Sequence, residues 1–527
     1  MTLFSPVRSL LLTIILLGPV FAAAQNLEQA LKLELEKKGI PGISLTVLNN
    51  KKQETTVVGM ADPDLNLPLN SQHRMLAGSI GKTFFAALIM QLVEEGTLDL
   101  NAKAARYLGK ADWFSQLPNA EGITLRSLMN HTSGIPEYVY AEQLWQTIKA
   151  EPEKQWTAGE RLAFILGAEP VFPVGEGWSY ADANYIILGA IVEEVTGKKI
   201  YDLVQQQVLR PCQLAQTEPA VQAKIDKLTA AYSGRLFGDL FGEKIAEVGH
   251  YGLNPQFEWT GGGFVTNSAD LANWAKCFYG GKVFSSASHQ QLFRPVNRQT
   301  GEVNPATGYG LGTEIFATSH GLAYGHTGFM PGYLSLMAYL PDYDLAIAFQ
   351  LNTDPYSSKV EERFSVFDLL EVVLPYYIKR NRAYKKKTRL YLARHAEKAD
   401  DGTRDPDLNA KGEKRAERLA AVLQDKNIDA IYSTPYKRTR QTAQPLAEAL
   451  GQSVRTYPPT DMTHVFDFVA NHQGGNLLVV GHSNTIPAMA NWLLGKEELS
   501  QLGEKAYGDL FMISYKKGKS RLVKSKF

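Results

Sequence analysis

Ser79 and Lys82 stand three residues apart at the head of an apolar run, Phe84 to Leu92. Residues at that spacing share one face of a helical turn, so the lysine amine can reach the serine hydroxyl. A serine at its free pKa is a weak nucleophile and needs a base beside it. Lysine serves when desolvation or a neighbouring cation lowers its own pKa. Tyr180-Ala181-Asp182 opens a second apolar run, Ala183 to Gly189, and His326-Thr327-Gly328-Phe329 leads into Pro331-Gly332-Tyr333. A second group of reactive types lies near the C-terminus. Arg394-His395 follows the strand pattern of residues 388–393, Arg438 follows that of residues 428–432, and Gly481-His482 follows that of residues 476–480. Paired histidines and arginines at strand ends suit a phosphoryl dianion. Arg offers a fixed fork of donors, and a neutral imidazole can attack phosphorus.

The elements that must carry these residues differ between the two groups. Residues 83–95 and 183–196 have the pattern of helices, and residues 333–340 and 345–351 that of late strands. Isolated strands flanking a largely helical middle predict an antiparallel sheet packed against a helical region. Strand and helix patterns alternate from residue 388 onward, which predicts a mostly parallel α/β sheet. Between the two, Lys379 to Arg389 carries seven basic residues and no acid, and reads as a solvated linker at a domain boundary. The apolar run Leu10 to Phe21 follows Arg8 and ends in Ala22-Ala23-Ala24, the pattern of a cleaved export signal. The expected organisation is a signal peptide (1–24), an α+β domain (25–375), a basic linker (376–387) and an α/β domain (388–527). With 44% hydrophobic and 21% charged residues, the chain is neither disordered, collagen-like nor a polytopic membrane protein. Lys and Arg (55) balance Asp and Glu (54), so no overall field draws it to nucleic acid. Cys212 and Cys277 either pair outside the cytoplasm or remain two separate buried thiols.

Ser79-Ile80-Gly81-Lys82, Asn130-His131-Thr132-Ser133-Gly134, Tyr180-Ala181-Asp182, Gly261-Gly262-Gly263 and His326-Thr327-Gly328, in that order, resemble the serine β-lactamase and penicillin-binding-protein superfamily, in its class C β-lactamase and DD-peptidase branch. The resemblance spans residues 25 to 375. It implies that Ser79 is acylated, that Lys82 is its base or proton relay, and that Tyr180 exchanges protons with the leaving group. His326 is implied as a catalytic partner, and Asp182, Thr327, Gly328 and Phe329 as substrate-binding positions. The amides of Ser79 and Phe329 are the implied oxyanion hole. Asp182 stands where many members carry Asn, and His326 where many carry Lys. His131 reads as structural. The implied reaction is acyl transfer from an amide, ester or lactam to water. The two departures favour a peptidase such as a D-alanyl-D-alanine carboxypeptidase, a D-amino-acid amidase or an esterase over a β-lactamase.

Arg394-His395-Ala396-Glu397, Ser433-Thr434-Pro435-Tyr436-Lys437-Arg438 and Gly481-His482-Ser483 resemble the histidine phosphatase superfamily, with its phosphoglycerate-mutase-like three-layer α/β fold. This implies His395 as the phosphorylated nucleophile, His482 as its catalytic partner, and Arg394 and Arg438 as phosphoryl ligands. Arg440 is a further contact or a solvent-facing side chain. The leaving-group acid has no clear match, since Ser483 follows the second His; Glu397, Asp405 and Asp461 are the candidates. The expected protein is an exported bifunctional hydrolase in the periplasm or outside the cell. It needs no metal or organic cofactor, nucleic-acid partner or membrane span after signal cleavage. Its partners are a small-molecule or peptide acyl substrate and a phosphorylated substrate. The alternative is a penicillin-binding sensor with a phosphate-binding module that lacks efficient turnover.

Overall fold

The computed structural model describes residues 27–49, 52–234, 238–281, 283–298, 307–357, 359–361, 364–378, 386–403, 405–457, 459, 464–494, 496–516 and 519–527. The expected export signal, the basic residues 379–385 and Asp461 lie outside them. Among the described residues no helix is long and apolar enough to cross a membrane. The chain divides into two compact units. One takes the residues before Pro305 together with Tyr309–Ile315 and Tyr324–Ile378; the other takes Pro305–Gly308, Phe316–Ala323 and Lys379–Phe527.

An eight-stranded sheet underlies the first site. Its strands are β1 (Gly42–Asn49), β2 (Lys52–Asp62), β3 (Leu67–Pro68), β4 (Gly308–Tyr309), β5 (Glu314–Thr318), β6 (Gly321–Met330), β7 (Tyr333–Leu340) and β8 (Leu345–Leu351), in the order β4-β5-β6-β7-β8-β1-β2-β3. The pairs β1–β2, β1–β8, β6–β7 and β7–β8 are antiparallel. In β1, Ile43, Leu45 and Val47 alternate with Ser44 and Thr46, and all five are buried. The two hydroxyls are not orphaned, because both bond the Ser268 hydroxyl, at 2.9 and 2.8 Å.

Helix α1 (Lys82–Glu94) is apolar on nearly every face and is accordingly enclosed on nearly every side. Phe84 sits 4.9 Å, centroid to centroid, from both Phe264 and Trp274, and the Trp274 indole donates to the Thr83 hydroxyl at 2.7 Å. Helix α2 (Asp182–Thr196) is likewise mostly buried and stops at Gly197, whose φ of +66° is the left-handed cap that glycine allows. Helix α3 (Ser268–Tyr279) packs on β1, β7 and β8. Cys277 near its end is disulfide-bonded to Cys212.

Arg161 is 1% exposed and has no carboxylate at its guanidinium. It donates instead to three carbonyls, of Phe257, Trp156 and Gln256, at 2.7, 2.7 and 2.6 Å. This holds the stretch that leads into Gly261. Arg161→Met keeps the volume and orphans those carbonyls, at about 1–3 kcal/mol for each that finds no water. A loss on the order of 3 kcal/mol is expected in thermal unfolding; an unchanged melting temperature would mean that the loop holds itself.

The second unit follows the strand–helix alternation. Strands β9 (Thr388–Arg394), β10 (Ile428–Ser433), β11 (Val454–Thr456), β12 (Asn476–Gly481), β13 (Asp509–Lys516) and β14 (Lys519–Lys526) form one sheet in the order β11-β10-β12-β9-β13-β14. The first four run parallel, while β13 is antiparallel to β9 and β14 is antiparallel to β13. The helices are α4 (Ala410–Leu423), α5 (Lys437–Leu450), α6 (His464–Asn471) and α7 (Thr485–Leu494). They supply the crossovers that parallel strands require. The sheet buries a core on each face, one around Leu390, Leu392 and Val479 and one around Leu419, Ile431 and Leu478, which makes three layers.

Candidate active site

Ser79 is not inside α1. It lies in a single 3-10 turn, Gly78–Gly81, and Lys82 is the first residue of the α-helix. The turn is fixed by two close backbone approaches. Gly78 has φ +55°, and a Cβ there would stand 2.6 Å from the Phe329 nitrogen. A Cβ on Gly81 would stand 2.2 Å from the Gly262 oxygen. Side chains at either position would push β6 or the glycine loop away from the serine.

Lys82 is fully buried. Its ammonium donates to the Ser79 hydroxyl at 3.0 Å, to the Asp182 carboxylate at 2.5 Å and to the Gly261 carbonyl. An ammonium carries three hydrogens, and these three acceptors take them. Lys82 also lies 5.0 Å from the centre of the Tyr180 ring. Burial, with the Asp182 charge, pushes the Tyr180 phenol well above its ordinary range, and the Ser79 hydroxyl offsets only part of that. Tyr180 is therefore a neutral phenol at physiological pH. Ser79, Lys82, Tyr180 and Asp182 thus meet in one enclosed notch, from two separate stretches of chain.

His326 has both ring nitrogens engaged. Its Nδ1 faces the Thr327 carbonyl at 2.6 Å, and its Nε2 the Tyr309 hydroxyl at 2.8 Å. A carbonyl only accepts, so Nδ1 carries the proton and Nε2 accepts from Tyr309. Burial lowers its pKa to about 4. A neutral ring with both nitrogens engaged is not poised to exchange protons with substrate. Thr327 donates to the Glu314 carboxylate at 2.9 Å, while Gly328 runs against Ala77. Glycine is required at 328, where a Cβ would stand 1.9 Å from the Ala77 oxygen.

Several groups at this site carry no sequence signal of their own. Glu137 accepts from the Asp182 amide at 2.5 Å, and its carboxyl is pushed up by burial and by the Asp182 charge. Glu258 is 5% exposed, its Oε2 has no hydrogen-bond partner, and burial pushes it up to about 8. His131 stacks on Tyr180 at 4.2 Å. Its Nδ1 faces the Ala181 N–H and the Asn184 amide, and burial holds the ring neutral. It supports the phenol from beneath. Glu137 stands three residues beyond Gly134, and Glu258 three before the glycine triplet; neither position marks a carboxyl as buried.

The second site gathers at the ends of adjacent parallel strands, where open α/β sheets bind ligands. His395 follows β9 and His482 follows β12, with ring centres 5.6 Å apart. His395 Nδ1 bonds the Ala396 carbonyl at 2.8 Å, which leaves Nε2 with a free lone pair. Burial lowers its pKa to about 3, and that of His482 to about 4, with the charges of Arg394 and Arg438 acting the same way. His482 Nε2 lies 3.0 Å from the Thr434 hydroxyl. Arg394 lies over Tyr507 at 4.3 Å and Arg438 over Tyr436 at 4.7 Å. Arg440 is exposed. Glu397 does not fit the role of leaving-group acid: Arg415 grips both its oxygens, at 2.8 and 2.7 Å, and holds its pKa down to about 2. Among the described residues no group of three or more His, Cys, Asp or Glu could hold a metal ion.

The Beta-lactamase family model matches residues 24–371, and that of the histidine phosphatase superfamily (branch 1) matches residues 390–459. Penicillin-binding protein 4* of Bacillus subtilis is 25% identical over 346 residues, covering 62% of this chain and 72% of that protein. Among solved structures, a D-stereospecific amidohydrolase from Streptomyces sp. is 24% identical and covers 68% of this chain and 98% of its own, with a TM-score of 0.57. A D-amino acid amidase from Ochrobactrum anthropi SV3 is 20% identical over 66% of this chain and 97% of its own, at a TM-score of 0.55. The chain belongs to the Beta-lactamase family, as a serine-hydrolase-like domain followed by a histidine phosphatase domain.

Proposed function

We propose that the protein is an exported hydrolase with two sites, of which the first transfers acyl groups from amides or esters of D-configured amino acids to water. The observation that carries this reading is the Lys82 ammonium, 3.0 Å from the Ser79 hydroxyl in a buried notch. Ser79 Oγ attacks the substrate carbonyl while its proton passes through the neutral Tyr180 phenol to the leaving amine or alcohol. The acyl–Ser79 bond forms, the carbonyl–leaving-group bond breaks, and water later reverses the exchange. The fixed Lys82 charge stabilises the developing serine oxyanion. The backbone amides of Ser79 and Phe329 are suited to the developing carbonyl oxyanion, since the Phe329 backbone abuts the serine turn. His326 supports the strand rather than moving protons. The D-amino acid preference rests on the amidase and amidohydrolase relatives. The disulfide between Cys212 and Cys277 supports an oxidising compartment.

The second site is a phosphoryl pocket in which His395 Nε2 attacks phosphorus and the leaving group departs. Capture of Glu397 by Arg415 favours, as a second reading, a phosphate-binding module with little turnover. Intact-mass measurement after exposure to a fluorophosphonate or penicillin, and separately to an aryl phosphate, tests both. A serine adduct absent from Ser79→Ala is expected. Phosphate release lost in His395→Ala supports the enzyme, and binding without release the module. No adduct on the wild type, or an equal one on Ser79→Ala, rejects the nucleophile.

A further inference from the structure

The phosphoryl pocket already holds an anion supplied by the chain itself. The N-terminus of α5 has no side-chain cap from its own N-cap residue, Tyr436. Asp405, from the loop after β9, takes that place. Its two oxygens accept the Lys437 N–H at 3.1 and 3.3 Å, and Oδ1 pairs with Arg438 at 3.3 Å. A helix N-terminus next to an arginine is the arrangement that binds phosphoryl oxygens. The Asp405 charge also bears on His482, where it opposes the two arginines. Its neighbours hold the loop in register: Asp407 accepts from Gln441 at 2.8 Å, and the Leu408 N–H donates to Gln441 at the same distance.

The charge inventory sharpens the point. At neutral pH both histidines are uncharged, and among the described residues Arg394 and Arg438 are the cations whose charges bear on both of them. Arg394 already donates to the carbonyls of Gly503 and Ala506, at 2.7 and 3.2 Å. Asp405 engages one guanidinium nitrogen of Arg438, at 3.3 Å. An ionised carboxylate against an arginine is also badly placed to protonate a leaving group.

On the reading of this site as a phosphoryl pocket, we infer that Asp405 is a built-in competitor, a carboxylate that occupies the Arg438 and α5 half of the pocket and that an incoming phosphoryl group displaces. Its effect is to weaken the binding of free phosphate and of substrates held only through their phosphoryl group. A substrate with further contacts outside the pocket overcomes it.

Titration calorimetry of inorganic phosphate into the full chain at pH 7 tests this with wild type, Asp405→Asn and Asp405→Ala. Asparagine keeps an acceptor for the Lys437 N–H and removes the charge, and is expected to bind phosphate about tenfold more tightly. Alanine also removes the cap, so tightening in asparagine alone supports the inference as well as tightening in both. Unchanged or weaker binding in Asp405→Asn overturns it. So does a fall in kcat on an aryl phosphate with phosphate affinity unchanged, which would make Asp405 the leaving-group acid. If none of the three proteins binds phosphate, the pocket reading itself fails and the inference with it.

Discussion

Lys82→Ala is expected to lower acylation of Ser79 by about two to three orders of magnitude, the range of about 10²- to 10³-fold for the loss of one preorganised electrostatic donor. The substitution removes the ammonium that donates to the Ser79 hydroxyl from a buried position. It also takes from the Asp182 carboxylate, which lies beside Glu137, the ammonium that pairs with it. Lys82→Ala therefore loses stability as well as rate, and the two effects separate in the double variant Lys82→Ala/Asp182→Asn. Removing both charges is expected to restore most of the melting temperature and none of the rate. Single-turnover release from a D-amino acid p-nitroanilide reads the rate, and thermal unfolding reads the stability. A Lys82→Ala protein that keeps a tenth of wild-type acylation would remove the ammonium from the mechanism. A double variant that regained activity would mean that Asp182, freed of its partner, had been the obstacle.

Local elements were legible because their signals are local. The helix expected over 183–196 runs over Asp182–Thr196, and the strands expected over 333–340 and 345–351 have those bounds. The helix expected from Thr83 begins one residue earlier, and that residue is Lys82. Ser79 lies in a turn rather than on the helix, yet the spacing of three still brings it to Lys82, because a 3-10 turn repeats every three residues. The last helix of the first unit, Val366–Tyr377, runs into the expected linker and carries Pro375 inside it. What composition and spacing did not contain is who meets whom over long separations. Gly261 lies 179 residues from the lysine whose ammonium it accepts, and Tyr309 was an unremarked tyrosine until it met His326. A histidine in a familiar motif position reads as a catalyst, whereas its chemistry depends on what each ring nitrogen touches. The same is true of Glu397, two residues beyond His395 in sequence but held by an arginine 18 residues away.

Glu258→Gln is expected to change the pH dependence of stability in the first unit. The folded protein holds this carboxyl protonated up to about 8, because burial with no hydrogen-bond partner at Oε2 penalises the ionised form. In the unfolded chain the same group ionises near the ordinary glutamate value of 4.5. Between those two values the folded state binds the proton and the unfolded state does not, so stability falls as pH rises. The contribution is fully present below pH 4.5 and is lost as pH climbs through about 8. A shift of that size amounts to a differential on the order of 5 kcal/mol at the alkaline end. Glutamine imitates the protonated acid at every pH and has no such slope. It places an amide where one oxygen lacked a partner, a pH-independent cost of about 1–3 kcal/mol. The variant is therefore expected to be equal to or less stable than wild type at pH 5 and clearly more stable at pH 9, with the curves crossing between. Taking the difference between the two proteins cancels Glu137, whose raised carboxyl tilts both curves in the same sense. Thermal unfolding across that range reads the crossing directly. Parallel curves would mean that Glu258 is already ionised in the folded protein, and that the Lys82 ammonium serves two carboxylates rather than one.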